Sequence, residues 1–124
     1  MRGDADVNEV SERIIGCAFR VSNELGCGFL EKVYENALVH LLSKNGSKVA
    51  QQVKLNVWFD DVVVGDYTAD IIVDNKVLVE VKASEGLDEV HTAQCLNYLK
   101  TTKLPLCLLI NFGKPNVQLK RLKI

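Results

Sequence analysis

The stretch TADIIVDNKVLVEVK, residues 68–82, contains two short aliphatic runs on either side of a polar turn, Asp74-Asn75-Lys76. β-Branched residues favour strands, and Asp and Asn favour turns, so the stretch predicts an antiparallel hairpin centred on Asn75. Because side chains alternate between the faces of a strand, one face of this hairpin is entirely apolar. That face contains Ile71, Val73, Val77, Val79 and Val81.

The opposite face of the hairpin brings Asp70 across from Glu80, with Lys82 two residues further on. Two carboxylates that face each other on a sheet repel, so the face is either solvated or holds a cation. The set suits Mg²⁺-dependent phosphodiester hydrolysis, because carboxylates bind a hard cation, which polarises a phosphate and activates water. A lysine can orient that water or stabilise negative charge. The alternative is an amphipathic hairpin that shows its solvent face.

Two predicted helices supply further polar side chains. Glu31 and Glu35 are four residues apart and share a helix face, from which either can direct a third carboxylate at the hairpin. Gln94 and Tyr98 also share a face and can bind phosphate oxygens or steady Lys82. Solvated helix surfaces are the alternative interpretation of both pairs.

The hydrophobic pattern outside the hairpin predicts three helices and several strands. The helices cover residues 7–25, 30–44 and 88–100, and the strands cover residues 49–55, 57–59, 62–64, 106–112 and 117–124. This order predicts a mixed sheet flanked by helices. With 124 residues and no repeat or linker, the chain is expected to form a single domain, residues 1–124.

Composition narrows the class of protein. At 48% hydrophobic and 25% charged residues the chain is typical of a globular protein. The net charge of −1 gives no global basic field for nucleic acid, although four basic residues crowd the C-terminus: Lys114, Lys120, Arg121 and Lys123. No apolar run approaches the roughly 20 residues of a membrane helix, and the polar N-terminus is unlike a signal peptide. We therefore expect a cytoplasmic protein without a membrane partner.

The four cysteines, Cys17, Cys27, Cys95 and Cys107, form no C-x-x-C pair, and each has apolar neighbours. This pattern favours buried free thiols in a reduced compartment. A metal or iron–sulfur site built from all four, or disulfides, are the alternatives.

Residues 28–34, GFLEKVY, fit the G-x-x-E-x-x-Y signature, and the chain resembles the GxxExxY proteins of the PD-(D/E)XK nuclease superfamily from about Glu9 to Ile124. The resemblance includes the following motifs: Tyr67-Thr68-Ala69-Asp70, Val79-Glu80-Val81-Lys82-Ala83, the helix with Gln94 and Tyr98, and Leu109-Ile110-Asn111-Phe112. The proline that gives the superfamily its name precedes the aspartate of the motif, but in this chain Ala69 precedes Asp70.

The resemblance implies a restriction-endonuclease-like αβββαβ core with an extra N-terminal helix. Asp70 and Glu80 then bind Mg²⁺ or Mn²⁺, Lys82 is the catalytic lysine, and Gln94 with Tyr98 matches the Q-x-x-x-Y element of RecB-type nucleases. The helical acid of the site is either Glu35, by its distance from the first strand, or Glu31, by the family signature.

The carbonyl of Val81 is a further candidate metal ligand, because it lies between Glu80 and Lys82. The resemblance implies a nuclease with DNA as the expected substrate and RNA as the alternative. Small nucleases of this superfamily are often dimers, so a homodimer is expected, with the first helix either at that interface or in the core. The alternative function is a catalytically silent module on the same fold that binds nucleic acid or protein.

Overall fold

The computed structural model describes the backbone of residues 3–124 and the side chains of residues 6–124. Within these residues, five strands form one sheet in the order β1-β2-β3-β4-β5, and three helices flank it. Their bounds are α1 Gly3–Leu25, α2 Glu31–Lys44, β1 Val49–Phe59, β2 Val62–Val73, β3 Val77–Lys82, α3 Glu89–Thr102, β4 Leu106–Asn111 and β5 Gln118–Leu122. The β3–β4 pair is parallel and the other pairs are antiparallel. The predicted mixed α/β fold, with an extra N-terminal helix before the αβββαβ core, is confirmed.

Each face of the sheet has its own apolar core. The α1/α2-side core contains all five apolar residues of the hairpin face, from Ile71 to Val81, together with alternate residues of β4. The α3-side core contains Leu55, Ala69, Leu78 and Leu99 among others. The apolar stripe of α1, from Val7 to Val21, is buried in the α1/α2-side core, so this helix completes the fold.

The predicted hairpin register is confirmed: Val73 pairs with Val77 and Ile71 with Val79, around the turn at Asp74 and Asn75. These two turn residues have positive φ angles of 52° and 55°. Asn and Asp tolerate this left-handed conformation better than most residues. The turn therefore fixes which residues of the two strands face each other.

The prediction of two separate strands at residues 62–64 and 68–73 is wrong, because β2 runs without a break through Gly65 and Asp66. Val57 pairs with Gly65 whereas Trp58 pairs with Val63, so Val64 is an extra residue in β2. Gly65 and Asp66 have low strand propensity, but both pair with residues of β1, and the β-bulge at Val64 leaves the strand continuous. Because β3 pairs only with the end of β2, the stretch from Val53 to Ala69 extends beyond β3 as a two-stranded arm, the β1–β2 ribbon.

The cysteines are all free thiols. Cys17, Cys95 and Cys107 are buried as predicted, but Cys27 is exposed in the loop between α1 and α2, where the prediction is wrong. The sheet separates Cys17 from Cys95 and Cys107, which lie in different cores, so a single metal site built from all four cysteines is also wrong. Among the helices described, none has the length and apolar character required to cross a bilayer.

Candidate active site

The backbone ladder between β2 and β3 stops at the Ile71–Val79 pair, and two carboxylates replace the next hydrogen bonds. The amide of Val81 donates to Asp70 Oδ2 at 2.8 Å, and the amide of Asp70 donates to Glu80 Oε2 at 2.8 Å. Hydrogen bonds to carboxylates are stronger than those to carbonyls, so these crossed contacts hold the two strands together where the ladder ends. They also fix Asp70 and Glu80 side by side, as the hairpin register requires.

This pair of carboxylates is poorly solvated. Glu80 is only 2% exposed, because its face of β3 lies under α3 rather than in water. Burial, together with the charge of Asp70, raises the pKa of Glu80 to about 8. Burial also raises the pKa of Asp70, and the charge of Glu35 adds to that rise. Near neutral pH the site therefore favours either a bound proton or a compensating cation.

The free energy of unfolding of the metal-free protein is expected to fall as the pH rises from about 5 to 8. An unfolded Glu80 releases its proton near 4.5, but the folded one retains it to about 8, so the stabilisation present at low pH is lost across this window. The full change is roughly 3–5 kcal/mol. Urea denaturation in EDTA measures it, and Glu80→Gln should flatten the profile. A stability that rises across this window in wild type would contradict the prediction.

Glu35 joins the site through two glutamines that the sequence analysis missed. It is 3% exposed, and its Oε2 accepts hydrogen bonds from Gln51 Nε2 at 2.7 Å and Gln52 Nε2 at 2.8 Å. Gln52 Nε2 also lies 3.5 Å from Asp70 Oδ1, so its amide bridges two carboxylates that repel. The sequence does contain a signal for these glutamines: two consecutive polar residues, Gln51 and Gln52, interrupt the alternation of apolar and polar residues expected in β1.

Gln52 has a φ of 55°, which lies in the left-handed region that residues other than glycine rarely adopt. We expect Gln52→Ala to be less stable than Gln52→Gly by about 1 kcal/mol, because alanine must hold the positive φ while glycine adopts it freely. The same pair of variants at Lys54, an exposed residue of β1, should show the opposite order. Chemical denaturation of the four variants tests this, and the same order at both positions would refute it.

A groove of about 560 Å³ opens beside these acids. Its walls include Glu31, Glu35, Gln52 and Asp70, whereas Glu80 and Lys82 lie outside them. Lys32, on the same wall, places its Nζ 3.2 Å from each oxygen of Glu35. The structure thus brings Glu35 into contact with the residues around Asp70, while Glu31 is exposed at the groove.

Lys82 begins a chain of side-chain contacts towards α3. Its Nζ donates to Gln94 Oε1 at 3.4 Å, and Gln94 Nε2 donates to Tyr98 Oη at 3.0 Å. Gln94 and Tyr98 therefore share a helix face, as their spacing predicts. Burial and the charge of Glu80 raise the pKa of Tyr98 to about 12, so its phenol keeps its proton at neutral pH.

The oxygen donors suit a hard divalent cation. Asp70, Glu80 and Glu35 offer carboxylates, and the carbonyl of Val81 points to the same strand edge as its amide, which donates to Asp70. The backbone ladder to β2 has ended there, so this carbonyl faces the site. Within residues 6–124, no three His, Cys, Asp or Glu side chains already converge as a metal site. The donor chemistry fits Mg²⁺ or Mn²⁺, and Asp70 and Glu80 are the residues that the sheet itself fixes together.

A family model described as the PD-(D/E)XK nuclease superfamily matches residues 8–122, which includes all the strands and all the candidate site residues. No curated protein and no solved structure matches the chain. From the extent of the family match, the chain belongs to the PD-(D/E)XK nuclease superfamily.

Proposed function

We propose that this protein is a metal-dependent nuclease that hydrolyses phosphodiester bonds, with DNA rather than RNA as the expected substrate. The observation that carries the proposal is the crossed pair of hydrogen bonds between Asp70, Glu80 and Val81, at the point where β2 and β3 separate. It keeps the partly buried Asp70 adjacent to the buried Glu80, at an energetic cost that a divalent cation would offset. Membership of a nuclease superfamily supports the same chemistry.

In this proposal Asp70 and Glu80 hold Mg²⁺ or Mn²⁺, with Glu35 and the Val81 carbonyl as further ligands. Glu35 is preferred over Glu31 as the helical acid, because Gln52 connects its carboxylate to Asp70, whereas Glu31 is exposed. A bound cation would polarise the phosphate and lower the pKa of water.

The remaining roles belong to side chains beside the metal ligands. Lys82 orients the attacking water and stabilises negative charge on the phosphate. Gln94 fixes the Lys82 ammonium through its Oε1 and is itself held by Tyr98. The protonated phenol of Tyr98 remains available to donate a hydrogen bond to a phosphate oxygen.

The test is a cleavage assay of the purified protein on single-stranded, duplex and branched DNA and on RNA. Cleavage is expected with Mg²⁺ or Mn²⁺ and not in EDTA. A folded wild-type protein that leaves every substrate intact would refute the nuclease proposal and support the silent binding module. Cleavage of RNA alone would refute the preference for DNA.

Three finer points stay predictions: membership of the GxxExxY group, a cytoplasmic location and a homodimer. Sedimentation of the wild-type protein decides the last of these.

A further inference from the structure

The β1–β2 ribbon carries an apolar strip that the proposed reaction does not use. Leu55 pairs with Tyr67, Val57 with Gly65 and Phe59 with Val62. Because β1 side chains alternate, Leu55, Val57 and Phe59 lie on one side of the ribbon, and Leu55 places that side in the α3-side core. Phe59, next to the turn, is 73% exposed, and Tyr67, at the base of the ribbon, is 50% exposed.

The strip begins at the candidate active site. The Tyr67 ring packs against the Tyr98 ring with 5.7 Å between centroids, and Tyr98 is the last member of the contact chain from Lys82 through Gln94. From Tyr67 to Val62 the strand covers about 17 Å, at roughly 3.3 Å per residue. A ligand held by Lys82 can therefore continue directly onto the strip.

The charges on the ribbon disfavour phosphates on this strip. Its charged residues are Lys54, Asp60, Asp61 and Asp66. Lys54 pairs with Thr68 and Asp66 with Asn56, so by alternation both point to the opposite side, and the two remaining aspartates form the turn at the end of the ribbon. The strip itself carries no charge, and the turn beyond it carries the two negative charges of Asp60 and Asp61. It therefore suits flat apolar groups rather than the phosphate backbone of a duplex.

We propose that this strip, with Tyr67 and Phe59 as its exposed rings, binds unpaired nucleobases next to the phosphate held at Lys82. The inference rests on the proposed nuclease function and specifies its substrate class: single strands, or duplexes with unpaired nucleotides. Aromatic rings stack on bases of any sequence, with an effect of about 1–3 kcal/mol per base. The phosphate next to the bound bases then lies at Lys82, away from Asp60 and Asp61 at the far end of the ribbon.

A second copy of the chain is the competing occupant of the ribbon. A second copy can pack against either side of this arm, because Trp58 and Val63 are also exposed and pair on the side opposite to the strip. The start of the strip at Tyr98 favours nucleobases, because an interface between copies has no need to begin at the active site.

The test measures binding of a fluorescent single-stranded oligonucleotide and of the matching duplex in EDTA, where binding is separated from metal-dependent cleavage. Phe59→Ala and Tyr67→Ala should each weaken single-strand binding by about tenfold and leave duplex binding unchanged within about twofold. Tyr67→Phe, which keeps the ring, should retain single-strand binding. Trp58→Ala is the matched control, because Trp58 is 63% exposed on the other side.

Unchanged single-strand binding in the Phe59 and Tyr67 variants, or no such binding in wild type, would overturn the proposal. Equal effects of Trp58→Ala and Phe59→Ala, with a dimer that becomes monomeric in sedimentation, would assign the ribbon to a second copy and also overturn it. The binding result is independent of cleavage. If the protein cleaves nothing but its single-strand binding depends on Phe59, the binding strip is supported and the nuclease proposal fails. If the protein cleaves but the Phe59 and Tyr67 variants bind as wild type does, the nuclease proposal is supported and the binding strip fails.

Discussion

Lys82→Ala is expected to lower the rate of phosphodiester cleavage by about 10²–10⁴-fold, the range typical of a lost general acid–base group. The structure gives the reason: Lys82 follows Glu80 on β3, and Gln94 and Tyr98 hold its ammonium from α3. No other lysine donates to this pair of residues in the contacts of residues 6–124. Single-turnover cleavage with saturating Mn²⁺ measures the effect on the chemical step.

Lys100→Ala is the matched control for this variant, because Lys100 is exposed on the same helix that supports Lys82. It should cleave at the wild-type rate. The Lys82 variant should keep its fold and its Mn²⁺ affinity within a fewfold, since the lysine is outside the proposed ligand set. A Lys82 variant that cleaves as fast as wild type would remove the lysine from the mechanism.

Mn²⁺ is expected to stabilise the wild-type protein by about 2.7 kcal/mol at one hundred times its dissociation constant, which corresponds to roughly 10 °C in melting temperature. Asp70→Asn should abolish most of this gain. The amide oxygen of asparagine can still accept the hydrogen bond from Val81, so the variant removes the charge and keeps the contact between the strands. Thermal unfolding with Mn²⁺ and with EDTA measures both effects.

Asp61→Asn is the matched control for the metal experiment. Asp61 lies in the turn of the ribbon with a φ of 62°, which asparagine adopts equally well. This variant should respond to Mn²⁺ as wild type does. An equal response of Asp70→Asn and wild type would show that the stabilising cation binds elsewhere.

The hairpin could be predicted from the sequence because its turn and its alternation require the same register. Asn75 marks the centre of the turn, and a shift of one residue would move Ile71 and Val79 out of the core. The adjacency of Asp70 and Glu80 follows from that register alone. The spacing of Gln94 and Tyr98 likewise fixes their common helix face.

Other features depend on contacts between segments that are distant in the sequence. Glu80 is buried because α3 packs over its face of the sheet. The alternation of residues in the hairpin does not predict where that helix packs. The bridging position of Gln52 depends on a positive φ, which is unusual for glutamine and therefore unpredictable from its residue type. The bulge at Val64 similarly depends on the pairing of two strands rather than on local propensity.

The crossed hydrogen bonds of Asp70 and Glu80 have a consequence for the entropy of ligand binding. Each carboxylate is anchored on a backbone amide of the neighbouring strand, so both side chains lose their rotamer freedom when the sheet folds. A cation that arrives later meets preorganised ligands and does not have to immobilise them, a cost of about 0.5–1.5 kcal/mol for each flexible side chain. Each carboxylate also keeps lone pairs beyond those that accept from the amides, so the anchors can persist while a ligand is held.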